Sequence, residues 1–300
     1  MNAQRHPAGQ RLAHRLAGDD PVLAAGCHDA LTARLAEDAG LTALHLSGAA
    51  IAATTLGLPD LGFVGAADMI AAVQRITAAT TLPVIADADT GYGDALQAAE
   101  TTRRYEHAGA AALHIEDQVM PKRCGHLAGK RLVPLAEASA RIGAAVEARE
   151  QLLVIARTDA LSVAGLPEAL RRVRAFADHG ADAIFVEGAA APATLAAASE
   201  AAGGLPLVLN RSEAGSEPTA DLASLTAAGV RLVIFPVAAA LAAADAARRV
   251  YEAILRDGEP PPPAMTWDGF NRILGLPALV AAENRWASPP PATDPTEEPR

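Results

Sequence analysis

The stretch PVIADADTGYGDALQAAETTRRYEHAGAAALHIED, residues 83–117, decides the fold. Pro83–Ala86 is an apolar run of strand length. Ala95–Ala108 repeats its apolar residues at helical spacing, Gly109 stands where a helix would end, and Ala111–Ile115 is a second short apolar run. Apart from His114 both runs are apolar at consecutive positions, as expected of strands covered on both faces. A strand–helix–strand unit of a parallel sheet is therefore predicted.

The same unit recurs outward in both directions. Strand-length runs occur at Val22–Ala25, Ala43–Leu46, Pro83–Ala86, Ala111–Ile115, Leu152–Ala156, Ala183–Val186, Pro206–Leu209 and Leu232–Phe235. Helical patterns lie between them at Ala30–Ala39, Ala66–Ala79, Ala95–Ala108, Leu135–Ala148 and Pro167–His179, with glycines at 40, 109, 180 and 229 suited to C-caps. Eight βα units in series close most simply into a (β/α)8 TIM barrel, here residues 1–258. An open doubly wound sheet would want a GxGxxG phosphate loop in its first βα turn, which instead reads Ala25-Gly26-Cys27-His28-Asp29. The run Gly258-Glu259-Pro260-Pro261-Pro262-Pro263 predicts a stiff spacer over 259–264. A helical segment is expected over 265–287, and a disordered tail over 288–300.

Composition bounds the partners. About half of the 300 residues are apolar, enough for a large core, and the net charge of −10 argues against nucleic acid or an anionic membrane. The two cysteines, Cys27 and Cys124, form no disulfide framework, and no apolar run reaches membrane-helix length. The first twenty residues lack the apolar core of a signal peptide. A cytoplasmic enzyme acting on a small molecule is expected.

The carboxyl ends of barrel strands line the mouth where such folds do chemistry. Here they carry Ser47-Gly48-Ala49, then Asp87 and Asp89, then His114, Glu116 and Asp117. Arg157 and Asp159, Glu187, and Asn210-Arg211-Ser212-Glu213 follow on strands five to seven. Asp87 and Asp89, two apart on an extended segment, are expected to point the same way, with Glu116 from the next strand and Asp60 from a loop. Carboxylates so gathered repel unless a cation bridges them, and hard oxygen ligands select Mg2+ or Mn2+. Cys124, between Lys122, Arg123 and His126, is expected to sit in a positive field that lowers its thiol pKa. Gly125 and Gly129 give its loop freedom to close. Cys27 reads as a small core residue.

The ordered strings DADTGYG (Asp87–Gly93), HIEDQ (His114–Gln118), PKRCGH (Pro121–His126) and ARTDA (Ala156–Ala160), with LSG (Leu46–Gly48) and LGLPD (Leu56–Asp60), resemble the isocitrate lyase and phosphoenolpyruvate mutase superfamily. The branch of methylisocitrate and 2,3-dimethylmalate lyases is nearest. The resemblance implies a tetramer that exchanges C-terminal helices between subunits. It also implies Mg2+ at Asp87 and Asp89, with Asp60 and Glu116 assisting through water. Cys124 would be the acid that protonates the departing enolate, with Glu116, His126 and Arg157 in the catalytic group. Ser47, Gly48, Ala49, Gly125, Arg157, Glu187, Asn210 and Ser212 would hold the substrate. The implied reaction is retro-aldol cleavage of a 2-hydroxy di- or tricarboxylate to pyruvate or another 2-oxo acid plus a carboxylic acid. Oxaloacetate decarboxylation or hydrolysis, or phosphonate mutation, is the alternative within the superfamily. Where methylisocitrate-cleaving members carry two carboxylate-gripping arginines, this chain has Leu241 and, near the start of the last helices, Asp268. An alkyl group or a smaller dicarboxylate is therefore expected there.

Overall fold

The computed structural model describes residues 8–212 and 220–287. Its elements run, in chain order, α1 (Ala8–Leu16), β1 (Val22–Cys27), α2 (Ala30–Asp38), β2 (Ala43–Leu46), α3 (Gly48–Ile51), a π-helical turn (Ala52–Leu56), α4 (Ala66–Ala79) and β3 (Val84–Asp87). They continue with α5 (Ala95–His107), β4 (Ala112–Glu116), α6 (Leu135–Ala148), β5 (Leu153–Thr158), α7 (Ala160–Ala164), α8 (Leu166–Asp178) and β6 (Ala183–Val186). The series ends with α9 (Pro192–Ala201), β7 (Leu207–Asn210), α10 (Leu222–Ala227), β8 (Val230–Phe235), α11 (Ala238–Asp257), α12 (Trp267–Ile273) and α13 (Leu276–Trp286). All eight strands pair in parallel with their sequence neighbours, and β1 pairs with β8, so the sheet closes. The chain is the (β/α)8 barrel that its strand spacing predicts.

Strand residues alternate between two environments, and that alternation builds the site. Facing outward, Leu44, Val84, Leu113, Val154 and Ile184 join the large core beneath the helices. Facing inward, the lower rungs are apolar: Ala24, Ala43, Ile85, Ala112, Ile155, Ala183, Val208 and Leu232 form a second buried cluster. Two residues further along, the inward positions become His45, Asp87, His114, Arg157, Phe185, Asn210 and Ile234. The apolar rungs form the packed floor and the polar rung forms the mouth, as in barrels generally.

Several inward rungs are alanine, and a barrel interior must be filled. Helix α1 supplies the missing volume from below: Leu12 and Leu16 are buried in the inner cluster. This plug was not anticipated from the sequence. Its signal is the Leu12–Leu16 pair, one helical turn apart. The four glycines expected at helix ends do adopt left-handed backbone, with φ between 83° and 94°.

Beyond α11 the chain departs from expectation in one respect. The single segment expected over 265–287 is two helices, separated where Gly275 turns left-handed (φ 85°) and Pro277 opens the next helix. The expected tail, 288–300, lies outside the described residues, as does Glu213. Among the described residues no helix is long and apolar enough to cross a membrane.

Candidate active site

The strand ends and their loops enclose a cavity of about 110 Å³ at the carboxyl face of the barrel. Its walls include Ser47, Ala49, Asp60, Asp87, Cys124, Gly125, His126, Arg157, Glu187, Asn210 and Ser212, all singled out in the sequence. Of the remaining expected residues, Gly48, Asp89 and Glu116 are buried beside the cavity. His45, His114, Lys122, Phe185, Ile234, Pro236 and Val237 complete the lining.

Asp87 closes β3 and is tied from three sides. Its Oδ2 accepts the Gly48 N–H at 3.1 Å, its Oδ1 accepts the Asp89 N–H at 3.0 Å, and its carbonyl accepts the Tyr105 hydroxyl at 2.9 Å. A Cβ on residue 48 would lie 3.0 Å from that Oδ2, so only glycine fits comfortably against the carboxylate. Burial alone would raise Asp87, but His114, Lys122 and Arg157 hold it well below the usual carboxylate range.

Asp89 corrects the expectation of an extended pair. Its φ of 44° is left-handed, and the Gly91 N–H returns to the Ala88 carbonyl at 2.8 Å, so the chain turns directly after Asp87. Aspartate tolerates that region better than most side chains. The Asp89 carboxylate consequently reaches the Lys122 ammonium at 2.8 Å, and Lys122 also meets Asp60 at 2.6 Å. Burial and the neighbouring Asp87 push Asp89 up to about 7. Burial would lower Lys122, but Asp89, Asp87, Glu116 and Asp60 outweigh it and hold it firmly charged. Lys122 entered the sequence reading only as a flank of Cys124; its place between two carboxylates comes from the tertiary fold.

Arg157 is the centre of a second buried network. Its guanidinium pairs with Asp159 (3.0 Å), Glu116 (3.2 Å) and Glu187 (3.5 Å), and its carbon lies 5.1 Å from the Phe185 ring centroid. Burial drives Glu116 well above the usual range, with Asp159 and Asp89 adding to the shift and Arg157 opposing it. Glu116 Oε1 and Asn210 Oδ1 are buried without a hydrogen-bond partner. Asp117 serves the scaffold: it accepts from Thr158 Oγ1 (2.5 Å), the Asp159 N–H (2.9 Å) and Arg172 (3.1 Å).

Two residues of the inward polar rung were missed or undervalued in the sequence. His45 and His114 stack with ring centroids 5.3 Å apart and their Nε2 atoms at 3.0 Å. Burial and mutual repulsion lower His45 to about 3, and burial lowers His114 to about 4, so both rings are neutral near pH 7. His45 lies two residues beyond inward-facing Ala43, and that period could have revealed it.

Cys124 is half-buried over the cavity, with Sγ 3.9 Å from His126 Nδ1. The thiol is raised, not lowered as its sequence neighbours suggested. Burial is the largest effect and Asp60 adds to it, exceeding the opposing pull of the local backbone N–H, Lys122 and Arg157. Buried Cys27 is pushed up to about 12 by burial and Asp29.

A parallel barrel with carboxylates, a guanidinium and a thiol around one small mouth defines an enzyme scaffold for small polar anions. The family model described as phosphoenolpyruvate phosphomutase matches residues 12–255. A 2,3-dimethylmalate lyase of Eubacterium barkeri is 36% identical over 272 residues, covering 89% of this chain and 94% of the relative. A 2-methylisocitrate lyase of Shewanella oneidensis is 40% identical over 253 residues, covering 84% and 86%. Among solved structures, a crystal structure of 2,3-dimethylmalate lyase superposes with TM-score 0.87 and 41% identity, covering 94% of this chain and 96% of that one. A phosphonopyruvate hydrolase in complex with oxalate and Mg2+ gives 0.82 and 31%, covering 93% and 99%. The chain therefore belongs to the phosphoenolpyruvate mutase/isocitrate lyase superfamily, among whose curated members are named lyases.

Proposed function

We propose that this chain is a Mg2+-dependent carbon–carbon lyase that cleaves a 2-hydroxy dicarboxylate of the 2-alkylmalate type to a 2-oxo acid and a carboxylic acid. The observation that carries the reading is the joint placement of Asp87, the Arg157 network and the Cys124 loop around one cavity. The bond changes balance. Loss of the 2-hydroxyl proton lets that oxygen form a carbonyl as the adjacent C–C bond breaks. The other fragment then leaves as a carboxylate-stabilised enolate and takes a proton at carbon.

Cys124 supplies that proton. Its raised thiol is protonated at neutral pH, which suits an acid better than a nucleophile. His126, in contact with the sulfur, is placed to help restore its proton. Arg157 is placed to meet charge developing on oxygen, while Glu187, Glu116 and Asp159 hold its guanidinium. Ser47, Ala49, Asn210 and Ser212 line the cavity, and we assign them to a substrate carboxylate. The Gly48 N–H is already engaged by Asp87.

The donor set fits Mg2+. Asp60, Asp87, Asp89 and Glu116 crowd one region; burial first, and neighbouring carboxylates second, raise Asp89 and Glu116, so a cation beside them would be favoured. Among the described residues no three His, Cys, Asp or Glu side chains converge as a complete ligand set. Two carboxylates with water and substrate are the ligands such a cation commonly takes, which suits Asp87 and Asp89 directly and Asp60 and Glu116 through water. Bound there, Mg2+ would stabilise negative charge on the oxygen that becomes the carbonyl.

The apolar part of the lining supports the alkyl side of the substrate. Phe185, Ile234, Pro236 and Val237 are apolar, and among the described residues Arg157 is the only arginine lining the cavity. Among the described residues, a third carboxylate would have no second arginine in the lining to pair with. Helices α11 to α13 support assembly: Leu255, Trp267, Leu279 and Trp286 are at least 66% exposed, and α12 and α13 bury no residue in this chain. We read these faces as the contacts of a homotetramer with exchanged C-terminal helices. A panel of 2-alkylmalates and 2-methylisocitrate, assayed for released 2-oxo acid, tests the reading. Efficient cleavage of 2-methylisocitrate without cleavage of any 2-alkylmalate would sink the substrate assignment.

A further inference from the structure

Cys124 lies in the stretch between β4 and α6, and two buried lysines fix that stretch from opposite sides. Lys122 grips Asp60 and Asp89 on the β3 side. Lys130 reaches back over the loop on the β5 side, where Nζ donates to the Gly125 carbonyl at 2.7 Å and to Asp159 Oδ1 at 2.8 Å. The side chains of Lys130 and Asp159 are 4% and 0% exposed. An ammonium on a surface loop would ordinarily stay in water, because burying it is costly unless strong acceptors replace the lost hydration. Here both acceptors belong to the site. Asp159 also takes two hydrogen bonds from Arg157, at 3.0 and 3.2 Å, so one carboxylate joins the loop lysine to the arginine.

The Gly125 end of this joint is close-fitting. A Cβ on residue 125 would stand 2.7 Å from Glu187 Cδ and 2.9 Å from Arg157 NH2. The backbone immediately after Cys124 is therefore seated directly on the Arg157–Glu187 pair. The upstream half of the loop has its own anchors: Gln118 exchanges hydrogen bonds with the Arg123 backbone at 2.8 and 3.0 Å, and the Cys124 N–H reaches the Asp60 carbonyl at 3.3 Å. Lys130 anchors the downstream half.

We propose that Lys130 is a positioning residue whose ammonium locks the Gly125 carbonyl to Asp159 and thereby holds Cys124 over the cavity. The lock rests on the reading of Cys124 as the acid only in its consequence for turnover; its effect on loop closure is independent of that reading. A proton donor displaced by about 1 Å can lose on the order of a hundredfold in rate. Binding of a small acid depends mainly on groups at the strand ends, so the loss falls on kcat more than on KM.

The test uses the full chain with Mg2+ and the variants Lys130→Met, Lys130→Gln and Lys130→Arg. Two quantities are read: kcat and KM for the best-cleaved 2-hydroxy acid, and the rate of Cys124 alkylation by iodoacetamide, followed by intact mass with and without oxalate. Lys130→Met is expected to lower kcat about a hundredfold with a much smaller change in KM. Its Cys124 should alkylate severalfold faster, and oxalate should no longer protect it. Lys130→Arg, which keeps a charged donor, should recover part of both effects. If Lys130→Met does not fold, Lys130→Gln is read in the same way, since it stays polar, is one atom shorter and loses the charge. A Lys130→Met or Lys130→Gln variant whose kcat stays within about twofold of the parent overturns the assignment, as does a fall in their kcat with unchanged Cys124 alkylation. Full turnover in Cys124→Ser would instead refute the acid role and leave the alkylation result to judge the lock.

Discussion

Replacing Arg157 with methionine is the most informative single perturbation of the site's electrostatics. The guanidinium, 9% exposed, pairs with Asp159, Glu116 and Glu187. In Arg157→Met, Asp159 keeps Lys130 at 2.8 Å and Glu187 keeps only the Asn210 amide at 3.4 Å. Glu116, already with one unpartnered oxygen, loses its direct ion pair. Removing one partner of a buried pair costs about 3–5 kcal/mol, because Glu116, which burial already drives upward, must either stay charged without a partner or take up a proton. A chain of this length should lose roughly 6–10 °C in Tm, at about 2 °C per kcal/mol. Methionine retains much of the apolar contact with Phe185, so the loss reports mainly on charge. Scanning calorimetry of the metal-free protein measures it, and the double variant Arg157→Met/Glu116→Gln supplies the control. Removing the stranded carboxylate should recover about 1–3 kcal/mol of coupling energy. A single variant melting within about 2 °C of the parent, or a double variant less stable than the single, would refute the claim that Arg157 neutralises this cluster.

The two cysteines should separate under iodoacetamide in the native protein. Cys124 reacts slowly at pH 7 and faster as pH rises, because its raised thiol gains thiolate on the alkaline side, whereas Cys27, pushed up to about 12 and buried, stays unmodified; intact mass distinguishes them, and equal modification of Cys27 would contradict the burial argument. Leu12→Ala should cost about 2–5 kcal/mol by leaving a cavity beneath the barrel. Turnover at 25 °C should be unchanged, since Leu12 lies among the lower rungs away from the mouth, and denaturant unfolding with matched kinetics checks both parts.

Much of the architecture was legible because its signals are local. Strands such as Ala43–Leu46 and Ala183–Val186 coincide with their apolar runs, and the others shift by one or two residues where a polar end residue such as Asp87 or Asn210 still pairs in the sheet. The break at Gly275 was passed over because the apolar period continues across it. The α1 plug escaped because its two leucines have meaning only against the small alanines of the inner rungs.

The site divides along the same line. Asp87, Cys124, Arg157, Glu187 and Asn210 stand at strand ends or in a marked loop, where chain order alone places them near the mouth. His45 has a readable period but stands just outside the quoted string Leu46–Gly48. Placing Lys122 between Asp60 and Asp89, and Lys130 against Asp159, requires loops folded across strand boundaries, which spacing does not encode. The direction of the Cys124 shift was misread for a related reason. Charged neighbours are visible in sequence, whereas the burial that outweighs them is a property of the closed loop.

The most direct test of the central claim is the release of 2-oxo acid from 2,3-dimethylmalate by the purified chain, followed with Mg2+ and again after chelation. The account predicts pyruvate and a three-carbon acid in equal amounts with Mg2+, and none once the cation is removed. Cleavage that persists undiminished in chelator would contradict it, as would a chain that, supplied with Mg2+, releases no 2-oxo acid from this or any other 2-hydroxy di- or tricarboxylate.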